Sequence, residues 1–146
     1  MIKKLISTIL ITSLTLGAFL QPAEGHHTKR YNSKGHRIKR AVREQRYNGQ
    51  VGVASWYGHN DGYHGRKTAS GKIFNKYSNM CAHNGFRFGT KLKVTNVSTG
   101  RFTVCNVQDT GGFNKLNRVL DLSYGSFSKI APVNQGLVRV KIEKIN

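Results

Sequence analysis

The chain has 146 residues, and its 24 Lys and Arg outnumber six Asp and Glu to leave a formal net charge of +18. That length holds one compact domain and excludes a second. With six acids in all, any chemistry resting on carboxylates has few candidates, and the two cysteines form no Cys/His cluster at zinc spacing, so no metal or other cofactor is expected.

Residues 1–25 read as a secretory signal: Lys3 and Lys4 start it, an apolar run follows from Leu5 to Leu20, and Ala23-Glu24-Gly25 offers small residues for cleavage. The run is shorter than the roughly 20 residues of a bilayer span. The expectation is export to a periplasm, cell wall or extracellular space with no transmembrane span in the mature form. The first cysteine is Cys81, so no lipoprotein attachment is expected near the cleavage site. Residues 26–49 follow as a basic linker; within them, 28–46 carry eight Lys or Arg against Glu44 alone. So much charge with so little apolar surface predicts a disordered arm. It is either a solubilising tether or a grip on anionic wall or membrane polymers. Nucleic acid is the weaker partner for an exported chain.

Residues 50–146 read as the folded domain. Alternation predicts half-buried strands around Val51–Trp56, Lys91–Thr95 and Val138–Glu143. Val97-Ser98-Thr99-Gly100-Arg101 predicts a hairpin turn joining Lys91–Asn96 to Phe102–Val107. A helix is expected over Leu122–Ile130, with Asp121 as its N-cap. Short strands, much glycine and one or two helical turns point to a mainly β fold, a small closed barrel. Cys81 and Cys105 are expected to pair in an oxidising compartment. Two buried thiols stay open as the alternative, because spacing does not set geometry.

Of the six acids, Glu24 falls in the signal, Glu44 in the arm and Glu143 among lysines, Asp121 is expected as a helix cap, and Asp61 lies in the turn-like His59-Asn60-Asp61-Gly62. Asp109 remains, at the end of a strand-like run and before Gly111 and Gly112. It is either a turn former or a catalytic acid.

A succession of motifs bears on that choice: Ala54-Ser55-Trp56-Tyr57-Gly58, His64-Gly65-Arg66-Lys67-Thr68-Ala69-Ser70-Gly71, Phe74-Asn75, Ala82-His83, Phe88-Gly89-Thr90, Val94-Thr95-Asn96, Asp109 with Gly111 and Phe113, and Arg118-Val119-Leu120-Asp121-Leu122-Ser123. From Gly52 to about Ile142 this order resembles the rare lipoprotein A (RlpA) family of double-psi β-barrels, whose characterised members include peptidoglycan lytic transglycosylases. The resemblance implies a six-stranded barrel, an open groove across one face and peptidoglycan glycan strands as partner; the protein is expected to be a monomer. It implies Asp109 as acid and base, with His83 beside it in the groove. Substrate contacts are expected at Tyr57, Arg66, Thr68, Lys72 and Gly111, with Trp56 as barrel core. Two departures stand out. Lys72 occupies a position where the family pattern has Glu, and Asp109-Thr110-Gly111-Gly112 replaces Asp-Arg-Gly-Pro. The alternative function is a non-catalytic, expansin-like binder of wall glycan; a third is a nucleic-acid or membrane-surface binder acting through residues 28–46.

Overall fold

A computed structural model describes residues 33–145. The expected signal, 1–25, and the first part of the basic arm lie outside the described residues. Six strands close into a barrel: β1 (Val51–Tyr57), β2 (Met80–Ala82), β3 (Lys91–Asn96), β4 (Phe102–Asp109), β5 (Arg118–Ser123) and β6 (Val138–Ile145). Their order around the barrel is β1-β5-β2-β4-β3-β6, with β1/β5 and β2/β4 parallel and the other neighbours antiparallel. This is the double-psi barrel that the motif order implied. Closure leaves no open sheet edge.

Period-two patterning selects what faces inward. β3 buries every second residue and β6 does so from Val138 to Ile142, and Leu92, Val94, Val140 and Ile142 meet Val107, Leu120 and Leu122 in one core. The hairpin forms as expected, β3 pairing with β4 from Lys91↔Asn106 to Thr95↔Phe102. Cys81 and Cys105 form a disulfide inside this core, their Cα atoms 5.8 Å apart, so β2 is joined covalently to β4.

Two expectations are corrected here. The helix after β5 is a single turn, α2 (Tyr124–Phe127), and its N-cap is Ser123, whose hydroxyl accepts from the Ser126 N–H. Asp121 lies within β5, because strand pairing with β1 and β2 holds the chain extended through Leu122. The second correction concerns the arm. From Ser33 to Tyr47 it is a helix, α1, and it docks on the barrel. Tyr47 meets the rings of His83 and Phe86 at 5.1 and 6.2 Å. Glu44 is buried, with Lys144 at 2.9 Å and Arg87 at 3.6 Å. The Arg43 guanidinium donates to the Asn84 carbonyl at 2.8 Å. Composition missed the docking because each anchor finds its partner far along the chain. Gly85 shows how close the approach is: a Cβ there would lie 2.1 Å from the Tyr47 ring.

Candidate active site

The register explains how Asp109 reaches the surface. Cys105 and Val107 point into the core, so plain alternation would send Asp109 inward as well. A bulge intervenes, since Cys81 pairs with Val107 and Ala82 with Asp109, leaving Gln108 as an extra residue on β4. The parity flips, and the Asp109 side chain stands half-buried on the outer side. Gln108 is used to fix it: its side chain accepts from the Ser70 hydroxyl at 2.7 Å and donates to Asn106 at 3.0 Å, and its carbonyl accepts from the Ser70 N–H.

The segment Thr68-Ala69-Ser70-Gly71-Lys72 is a tight turn closed by Thr68 N–H to the Lys72 carbonyl at 2.8 Å, with Gly71 at φ +84°. The left-handed φ is what requires glycine there. This turn presents the Ala69 N–H to Asp109 Oδ1 at 3.0 Å, and Thr110 N–H reaches the same oxygen at 2.9 Å. Oδ2 has no hydrogen bond among the described residues. One oxygen is anchored, and the other is unbonded.

Tyr57 ends β1, within reach of the charge on this carboxyl. Its ring stacks on buried Phe74 at 4.4 Å and meets Tyr63 edge-on at 6.0 Å. Its hydroxyl is buried and has no partner among the described residues. Burial, and then the charges of Asp109, Asp121 and Asp61, push its pKa up, so the hydroxyl keeps its proton. A buried donor without a partner is costly unless a ligand uses it.

Across the sheet Asp109 pairs with Ala82, Ala82 with Asp121 and Asp121 with Ser55. The two carboxylates therefore lie two strands apart in one row, with backbones separated by about 10 Å. Asp121 accepts a short bond from the Ser55 hydroxyl, which itself accepts from Arg118 at 2.7 Å, and the Arg118 guanidinium stands 3.5 Å from the carboxylate. Burial raises the Asp121 pKa, while the Ser55 bond and the Arg118 charge oppose the rise. Sequence reasoning missed this second acid by assigning it to a helix cap. The cue was the alternation Val119-Leu120-Asp121-Leu122, which continues a strand.

His83 is near Asp109 through its backbone, its N–H donating to the Asp109 carbonyl at 3.0 Å. Its ring goes elsewhere: Nδ1 accepts from Gly85 N–H at 2.8 Å, and Tyr47 and Phe86 cover it. No hydrogen bond joins the ring to Asp109 among the described residues, so the two are not brought together as a proton-sharing pair. Burial, and then the Arg43 charge, lower its pKa to about 4. As pH falls from 6.5 toward 4, the unfolded chain takes up a proton that the folded ring refuses, so stability present above 6.5 is lost in that window. The raised Asp121 acts oppositely, contributing below its ordinary 3.8 and losing that contribution as pH rises through its folded value. The expected result is a Tm that falls on acidification through the His83 window, flattened in His83→Gln. In Tyr47→Ala, the His83 resonances should titrate nearer 6.5.

The remaining expected contacts divide. Thr68 is buried and spends its hydroxyl on Ser70 and the Lys72 carbonyl, so it shapes the turn. Gly111 lacks a side chain because the Phe113 ring fills that space, a Cβ lying 2.4 Å from it, and Asn84 clamps its backbone through 3.1 and 2.7 Å bonds. The reason for this glycine is packing within the protein. Asp61 is consumed by Gly58 and Tyr63 N–H groups, a turn former as expected. Trp56 packs against the core and donates to the Val133 carbonyl at 3.0 Å. Arg66 is exposed.

Comparison with known proteins settles the family. The model of the lytic transglycolase family matches residues 49–142, the entire barrel apart from its last residues. The chain belongs to this family. Among curated relatives, the endolytic peptidoglycan transglycosylase RlpA of Vibrio cholerae is 38% identical over 117 residues, covering 80% of this chain and 43% of that protein. The Rickettsia typhi protein of the same name is 38% identical over 122 residues, 82% of this chain and 37% of its own. The probable endolytic peptidoglycan transglycosylase RlpA of Nostoc is 41% identical over 92 residues, 63% of this chain and 24% of its own. This chain thus spans less than half the length of these relatives. Among solved structures, the Streptomyces papain inhibitor has a TM-score of 0.53 at 22% identity, over 68% of this chain and 97% of that one. An expansin of Clavibacter michiganensis in complex with cellohexaose also gives 0.53, at 18% identity over 66% of this chain and 50% of that one. These two likenesses concern the fold.

Within the RlpA-like family pattern, the two departures can now be placed. Lys72 is exposed and makes no hydrogen bond or ion pair with Asp109 among the described residues. The field of a solvent-exposed cation is weakened by water and by salt, with a Debye length of about 8 Å at physiological ionic strength. The Asp109-Thr110-Gly111 loop lacks the family's Arg and Pro but is held by the Ala69, Thr110 and Asn84 bonds described above. Those bonds supply the rigidity that proline would otherwise give.

Proposed function

We propose that the protein is a peptidoglycan lytic transglycosylase in which Asp109 serves as the single acid and base. The observation carrying this reading is the divided carboxyl: Oδ1 is tied by two backbone N–H groups and Oδ2 is unengaged, while the unpartnered Tyr57 hydroxyl lies within reach of the Asp109 charge. Asp109 Oδ2–H gives its proton to the glycosidic oxygen, and the bond from that oxygen to muramic C1 breaks with its electron pair leaving on the oxygen. The 6-hydroxyl oxygen of the same muramic residue bonds to C1, and its proton returns to Asp109. No water is consumed, so one carboxyl completes the cycle. The expected signal, residues 1–25, would deliver the protein to the envelope where this polymer lies.

Tyr57 fits as a donor to a sugar oxygen. Tyr57→Phe is expected to leave the melting temperature unchanged or slightly raised, since no protein partner is lost, while glycan cleavage falls about tenfold. The reading as a whole is tested by incubating the purified protein with peptidoglycan and with peptide-free glycan strands, then examining the ends by mass spectrometry. Ends lighter than hydrolytic ones by a single water are expected. Glycan retained on the protein with no new ends would instead support the expansin-like binder.

A further inference from the structure

The basic helix does more than tether. Arg40 and Arg43 of α1 line a cavity of about 380 Å³ together with Arg87, Asn84, His83 and Thr110 of the barrel. Thr110 follows Asp109 in the chain and its N–H donates to Asp109 Oδ1, so the cavity reaches the residue next to the acid, which does not itself line it. None of the residues lining it is acidic. Arg87 shares Glu44 with Lys144, and Arg43 is bonded to the Asn84 carbonyl. Arg40 has no hydrogen bond or ion pair among the described residues. Three guanidinium groups stand around one opening, Glu44 is already shared by Arg87 and Lys144, and no carboxylate lines the wall, an excess of positive charge that suits a planar anion.

We infer that this cavity is a carboxylate subsite for the glycan strand, built jointly by α1 and the segment His83–Arg87. The inference rests on the proposed glycan substrate and narrows it. A cavity one residue from the cleaving acid receives a group carried by the sugar being cleaved or its neighbour. In a peptidoglycan strand, the acidic groups so placed are carboxylates: the free lactyl carboxylate of a peptide-free muramic residue, or the carboxyls of an attached peptide. Planar Arg groups bind either in bidentate fashion.

Binding is measured by co-sedimentation or calorimetry with Asp109→Asn as the parent, so that no substrate is consumed. Three ligands are compared: peptide-free strands, peptide-bearing strands, and peptide-free strands whose carboxyls have been amidated. Arg40→Glu, which breaks no bond within the protein, is expected to weaken binding of carboxylate-bearing strands about tenfold and to leave amidated strands unchanged. Arg40→Lys should recover most of the loss. A loss confined to peptide-free strands assigns the lactyl group, and one confined to peptide-bearing strands assigns the peptide. The His83 titration, kept low by the docked helix, verifies that α1 remains in place. Equal losses on amidated strands, no loss on any strand, or no binding at all would overturn the subsite. Cleavage products accompanied by carboxylate-blind binding would overturn it alone; carboxylate-dependent binding without products would remove the catalytic reading and leave the subsite standing.

Discussion

Asp109→Asn is expected to lower the formation of anhydro ends at least about 10³-fold, near the top of what one general acid–base group contributes. The size follows from the double duty assigned to this side chain: both proton transfers are lost together, and no water-activating partner is needed that could survive. Asn keeps the acceptor oxygen that Ala69 and Thr110 hold at 3.0 and 2.9 Å, so folding and glycan binding should persist. Product formation is measured alongside Tm and strand affinity. Undiminished products in a folded variant would take Asp109 out of the chemistry and turn attention to Asp121, the other carboxyl in the row. Loss of binding along with products would show the change to be structural.

Breaking the Cys81–Cys105 bond is expected to cost about 3 kcal/mol in unfolding free energy, the loop-closure value for the 24-residue separation. The Cys81→Ala/Cys105→Ala double variant and the reduced wild-type protein should both move the denaturant midpoint down by the corresponding amount. The bond joins β2 to β4 immediately before the bulge that turns Asp109 outward. Cleavage is therefore expected to fall even under conditions where the reduced protein is still fully folded. An unshifted midpoint on reduction would mean that the crosslink does not restrain the unfolded chain enough to affect stability.

Much of the barrel was legible in local pattern. The hairpin from Lys91 to Val107 needed only alternation and a glycine turn, and both act between near neighbours in sequence. β2 was not legible as a strand: Met80–Ala82 is three residues, all buried, with no period to read. The α1 helix was hidden by its charge, because its stability comes from Tyr47 against His83 and Glu44 against Lys144. Asp121 was misassigned for a related reason. A strand and a helix cap are equally compatible with its immediate neighbours, and pairing with Ser55 and Ala82 chose the strand.

By itself, the sequence determined the barrel class, the pairing-competent cysteines and the scarcity of acids that singled out Asp109, since composition and short-range periodicity are properties of the chain alone. Only the tertiary structure decided which way Asp109 faces, which oxygen is left unbonded, where the His83 ring goes and what the basic helix touches. Each of these depends on a neighbour brought across the barrel: one unmatched residue opposite β2 reverses the side on which Asp109, the last residue of β4, emerges, and no window along β4 contains that partner.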